Sequence, residues 1–192
     1  MDGLAAGLGS GLHWTLISAG GATFIVFAVA LQNFFVQPEE VDRRASLAHD
    51  TMIAVGVIHL VGVLTRAPAG VAWAFGGIVL YSLSLGVFLS ALDAARRVPL
   101  TRVFVLEPRP DRVITGGPFR YIRHPIYLAY SLGWLAGPIA NHSPVLLATA
   151  LAMVACYVVA ARQEDAYLLG SPLAEQYRAY RRRTWWVIPF VL

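Results

Sequence analysis

Five apolar stretches dominate the sequence, and they leave few folds open to it. A bilayer core about 30 Å thick takes roughly 20 apolar residues to cross as a helix. Stretches able to do so run from about 12 to 36, 47 to 64, 69 to 92, the 115–130 region to about 140, and 144 to 161. The second is the weakest, because His49 and Asp50 stand at its start. The chain is 57% hydrophobic over 192 residues, with a mean hydropathy of +0.61. That is too apolar for an ordinary soluble domain. The predicted fold is therefore all-α: a polytopic membrane protein with about five transmembrane helices in a single domain, 1–192. Residues 1–98 form a three-helix part, and 99–192 hold the remaining helices and the tail.

Charge sets the orientation. All fifteen basic residues are arginine. If the five stretches cross the membrane, every arginine except Arg66 falls on one face. This bias predicts an outside amino terminus and a cytoplasmic tail and third loop. Such a balance reports lipid contact before nucleic acid, and no nucleic-acid motif is present. The first residues lack the basic region of a cleaved leader. The one cysteine, Cys156, lies in an apolar run and supports no disulfide framework.

The tail, SPLAEQYRAYRRRTWW, predicts an amphipathic interfacial helix. Ser171 is placed to cap it and Pro172 to open it, with Leu173, Tyr177 and Tyr180 on one face. Trp185 and Trp186 follow at headgroup level. Residues 101–106 alternate enough for a short strand, with an ordered loop as the equal alternative.

The chemistry gathers where the fourth stretch begins, TGGPFRYIRHPIYLAY (115–130). A flexible turn is followed at once by Arg120, Tyr121, Arg123 and His124. Arg123 and Tyr127, four apart, are expected to share a helix face. Pro125 suits a first helical turn. The Asn141–Ser143 link is so short that the fourth and fifth helices must form an antiparallel hairpin. That hairpin brings Glu164 and Asp165 back beside the basic cluster. Each residue alone has a plain structural reading, arginine as anchor and acid as solvated partner; the combination is more specific.

GGPFRYIRHPIY, QED and AEQYRAYRRRT together resemble the isoprenylcysteine carboxyl methyltransferase and phospholipid methyltransferase superfamily, over about 106–184. One departure is Asp165, where the pattern carries a second Glu. The resemblance implies an integral-membrane methyltransferase that uses S-adenosylmethionine (SAM), releases S-adenosylhomocysteine (SAH), and needs no metal. Carried over, His124 and Tyr127 line the cofactor pocket, and the turn at Gly116, Gly117 and Pro118 approaches it. Glu164 meets the cofactor's amino group, while Tyr121, Pro125 and Asp165 complete the set. Methyl transfer is then chiefly positioning and desolvation. Arg123 is the candidate to orient a carboxylate acceptor, and Glu164 to act as base toward an amine; a cationic mouth also favours a thiolate. Prenylcysteine carboxylate is the acceptor the family name suggests, with phospholipid amines and small thiols as alternatives. Lipidated or lipophilic substrates and membrane lipids are the expected partners. A non-enzymatic or redox module retaining the fold, and an NADPH-dependent reductase of the steroid-reductase type, are rival classes.

Three further histidines, His13, His49 and His59, lie in or beside apolar helices. Ionisable groups there are functional suspects. His49 and His59, ten apart, sit about 80° off a shared face, which disfavours a paired-histidine haem or metal site. Asp50 and Asp93 read as structural partners of nearby arginines. Gly76, Gly77, Ser82, Ser84 and Gly86 give the third helix a small-residue face suited to packing, or to a lateral lipid portal.

Overall fold

The computed structural model describes residues 2–35, 43–96 and 112–188. Arg97, Arg102, Arg109, the possible strand at 101–106 and the 98/99 boundary lie outside the described residues, as does the side chain of His49. Six helices follow in order: α1 (Asp2–Asn33), α2 (Arg43–Thr65), α3 (Val71–Ala95), α4 (Pro125–Asn141), α5 (Pro144–Leu169) and α6 (Ala174–Arg181). A single 3₁₀ turn, Gly117–Arg120, precedes α4. Among the described residues there is no strand, only an isolated parallel bridge between Ile122 and Trp185.

Among the described residues three helices are long and apolar enough to cross a membrane: Gly9–Asn33, Val71–Ala95 and Pro144–Leu169. The sequence predicts five crossings, and the two remaining helices are α2 and α4. In α2, Arg43–Thr65, the apolar stretch among the described residues is Asp50–Thr65. α4 has 17 residues, about 26 Å at 1.5 Å per residue. Ten of those 17 are buried, against seven of 26 in α5. α4 is thus the interior helix, sheathed by its neighbours. The other helices turn large apolar side chains outward, among them Ile25, Val57, Phe75 and Leu151. Unpaired apolar faces of this kind suit a hydrocarbon surrounding.

Small residues let α3 close on α4. A Cβ added at Gly77 would stand 2.8 Å from the Ala140 Cβ and 3.1 Å from the Ala136 carbonyl oxygen. Seven residues on, the Ser84 hydroxyl donates to the Ala129 carbonyl at 2.7 Å. The expected small-residue face is therefore a packing seam at these two positions. Gly86 faces open space, and Ser82 is exposed. Below the seam, Phe27, Phe88, Tyr130, Trp134 and Tyr157 fill the core between α1, α3, α4 and α5.

The predicted hairpin is present. α4 stops at Asn141, His142 takes the left-handed conformation (φ 51°), and the Ser143 hydroxyl caps α5 by accepting from the Leu146 N–H at 3.4 Å. At the same end the α2–α3 link is fastened to the hairpin: Asn141 Nδ2 donates to the Arg66 carbonyl, 3.1 Å, and Ala69 N–H to the Ala140 carbonyl, 2.8 Å. α5 continues eight residues beyond its expected end, to Leu169, and carries Glu164 and Asp165 on ordered helix.

The tail differs from expectation in two respects. Ser171 does not cap α6, whose N-cap is Leu173. Its hydroxyl instead donates to the Leu168 carbonyl at 2.8 Å and accepts from the Leu173 N–H at 3.1 Å, shaping the turn out of α5. The apolar face of α6 is also already covered. Tyr177 and Tyr180 are buried with Leu168, and Tyr180 Oη donates to the Phe119 carbonyl at 2.6 Å. That face packs on the protein.

Candidate functional site

The site begins with the chain's approach to α4. Gly117 has φ +54°, and a Cβ there would stand 2.9 Å from the Ala94 Cβ. Glycine is needed both for the backbone angle and for closeness to α3. The chain then runs beside residues 184–186. Arg123 N–H donates to the carbonyls of Trp185 (2.8 Å) and Trp186 (3.0 Å), and His124 N–H to Trp186 (3.2 Å). Pro125 opens α4, where its missing N–H leaves nothing unpaired.

His124 is the centre of the cluster. It is 5% exposed, and both ring nitrogens face carboxylates. Nε2 lies 2.8 Å from Asp165 Oδ1, and Nδ1 lies 3.5 Å from Glu164 Oε2. Burial by itself would lower the pKa of this imidazole. Hydrogen bonds to Asp165 and Glu164, with the charge of both, outweigh it and raise the value to about 9. The ring is an imidazolium at neutral pH and donates from both nitrogens. Asp165 also accepts from the Tyr177 hydroxyl, and burial followed by this bond drives the Tyr177 pKa well up. Asp165 is thus the enclosed acid, 14% exposed at its side chain, whereas Glu164 is 39% exposed.

Aromatic rings floor the cluster. Tyr127 stacks on His124 (centroids 5.7 Å apart) and on Tyr157 (5.9 Å). Trp134 Nε1 donates to Tyr157 Oη at 3.0 Å. Trp186 stands edge-on to His124 at 6.3 Å, and Arg162 lies over the Trp186 ring at 5.7 Å.

The predicted residues therefore divide. His124, Tyr127, Glu164 and Asp165 come together, as the hairpin requires, and Pro125 sets the helix start beside them. Gly117 lies against Ala94 and Ser90 of α3, the space beside Gly116 is open, and Tyr121 is 62% exposed with the Arg120 guanidinium over its ring. Arg123 does not share a helical face with Tyr127, because it precedes α4 by two residues. Its Nη1 donates to the carbonyls of Thr184 (2.8 Å) and Arg181 (3.4 Å). Sequence reasoning missed Tyr177, Trp186 and Arg162 as members of the cluster. Tyr177 was legible in part, since its i, i+3 spacing to Tyr180 marks a buried face. Trp186, expected at headgroup depth, turns inward while Trp185 stays 40% exposed.

Among the described residues no group of histidine, cysteine and acidic side chains forms a metal site. His59 is wholly buried, with Nδ1 2.7 Å from Thr149 Oγ1. Asp93 pairs with Arg96 at 2.8 Å, the structural role expected of it.

The molecule is a helical bundle with outward-turned apolar faces, three helices able to cross a membrane among the described residues, and a charged, aromatic-floored cluster at one end. The phospholipid methyltransferase family matches residues 72–171, over half of the chain, and the chain belongs to that family. It is an integral membrane protein of the isoprenylcysteine carboxyl and phospholipid methyltransferase superfamily. No curated protein matches the chain.

Proposed function

We propose that the chain is a SAM-dependent methyltransferase whose acceptor is the amine of a membrane lipid. The observation that carries this reading is the asymmetry of the acid pair. Asp165 is enclosed by His124 and Tyr177, while Glu164 keeps a partly exposed carboxylate beside His124. The residues present suit the cofactor's charges. Glu164 would meet its ammonium, and the buried, unpartnered Arg123 Nε and Trp186 Nε1 are donors for its carboxylate. At Gly116 the space beside the backbone is open, which permits close approach. When bound, the cofactor supplies an electrophilic methyl group on a sulfonium.

The remaining work falls to the chain's own side chains. His124 holds both acids in place as an imidazolium. Glu164 has two oxygens, so it can pair with an ammonium and still receive the proton that an acceptor amine must lose before attack. Tyr127 stacks on the His124 ring and packs it toward Tyr157. Arg123, bound to the tail's carbonyls, acts as a positioning residue. A carboxylate acceptor, the alternative raised by prenylcysteine, would sit beside two like charges. The arginine bias supports a cytoplasmic site, with α2 and α4 completing five crossings of one domain and the amino terminus outside. The short interior α4 fits this, since its neighbours shield it from lipid.

The test is methyl transfer from labelled SAM in proteoliposomes, with phosphatidylethanolamine and N-acetyl farnesylcysteine as competing acceptors. Label is expected on the lipid amine. Glu164→Gln should lower kcat/KM about a hundredfold, the usual worth of a general base, and weaken SAH binding. Label on the carboxylate would overturn the acceptor. Failure of a folded protein to bind SAH would overturn the enzyme reading and favour the reductase or the fold-retaining module.

A further inference from the structure

A second polar concavity lies between the 3₁₀ turn and α6. It is a cleft of about 490 Å³ lined chiefly by Thr115, Arg120, Gln176, Tyr180, Arg183 and Thr184. Both of its formal charges are positive, and no carboxylate lines it. Arg120 and Arg183 are exposed, and neither guanidinium has an acidic partner among the described residues. Two uncompensated guanidiniums across one concave surface repel each other until an anion lies between them.

The adjoining stretch of chain indicates which anion. Exposed Tyr121 (62%) and Trp185 (40%) directly follow Arg120 and Thr184 of the cleft in sequence. Trp185 N–H is bonded to the Tyr121 carbonyl at 2.8 Å, which joins the motif to the tail at this point. Exposed aromatics beside arginines mark the headgroup depth of a bilayer. We propose that this cleft binds the phosphate of an anionic membrane lipid. Arg120 and Arg183 are the charged partners, with Thr115 and Gln176 as neutral donors. The planar guanidinium fork matches phosphate oxygens in pairs. A zwitterionic headgroup fits less well, because its amine would meet the same two cations. A lipid held here ties the turn before α4 to the tail that Arg123 also grips, through Thr184 and Arg181. The site is separate from the His124 cluster and does not depend on the acceptor.

The test is native mass spectrometry of the full chain in mild detergent, with equimolar dioleoyl-phosphatidylglycerol and dioleoyl-phosphatidylcholine, whose acyl chains are identical. The phosphatidylglycerol adduct should be favoured about tenfold, or about 1.4 kcal/mol. Arg183→Gln and Arg120→Gln should each reduce that preference, and together abolish it. Arg178→Gln, an exposed α6 arginine outside the cleft, should leave it intact. Matching circular dichroism and melting would show that the variants fold. Equal retention of the two lipids, or a preference that survives both substitutions, would overturn the proposal. Saturable binding of inorganic phosphate without a lipid preference would make this a free-anion site and overturn the lipid assignment.

Discussion

His59 and His124 are both buried, both beside aromatic rings, and both hydrogen-bonded to α5, yet their surroundings are opposite. His59 meets Thr149, Trp134 and Phe24, with Nε2 buried and unpartnered. His124 meets two carboxylates and has no orphaned nitrogen. Burying a histidine does not by itself make a site, because a neutral imidazole with one hydroxyl partner is a tolerable core residue. What distinguishes His124 is the acid pair, brought to it by the length of α5 and the tightness of the hairpin.

The most damaging change to this contrast is His124→Ala. It would leave Asp165 and Glu164 facing each other with no cation between them. Removing one partner of a buried ion pair costs about 3 kcal/mol, so Tm in detergent should fall by roughly 5–10 °C. SAH binding should be lost as well. A variant that melts with the wild type would mean that the triad is not ion-paired, and the difference between the two histidines would collapse.

A gentler probe leaves the chain intact and changes pH. His124 holds its proton more firmly in the folded chain than the unfolded reference of 6.5 allows. Its stabilising contribution is therefore full below about 6.5 and disappears as pH rises through about 9. Wild-type Tm should decline by several degrees across that window. His124→Gln, which cannot titrate, should lack the decline. A wild-type profile that rises with pH would show that burial, not the carboxylates, governs the imidazole.

The contrast also shows what the sequence could and could not disclose. The hairpin and its consequence, acids beside His124, follow from a three-residue link and helical rise alone. The small-residue seam at Gly77 and Ser84 follows from their spacing of seven. The interior position of α4 does not, because its composition resembles that of its neighbours and only packing decides which helix is sheathed. The tail was legible as amphipathic, but not as to what would cover its apolar face; the answer, α5 and the motif turn, depends on contacts some sixty residues apart in sequence, such as Tyr180 to Phe119. Arg123 was misassigned to a helix face because the helix start was set too early, and Trp186 was given to the bilayer because a Trp-Trp pair carries no sign of which ring turns inward. His59 and His124 could not be ranked by burial, since both adjoin apolar runs.

The smallest expected effect is at His59, and it tests the contrast from the other side. Thr149 Oγ1 lies 2.9 Å from the Leu146 carbonyl and 3.2 Å from that of Val145, so its hydroxyl keeps a partner when the imidazole is removed. His59→Leu also deletes the orphaned Nε2, whose burial without a partner is unfavourable. Leucine is close enough in volume to fill the space against Trp134, Phe24 and Val63 with modest repacking. Stability should therefore change by no more than about 1 kcal/mol, and SAH affinity, read by calorimetry, should stay within experimental error of wild type. A loss of SAH binding here, in a variant that still melts cooperatively, would place His59 within the functional machinery, and the distinction drawn from the acid pair would no longer separate site from core.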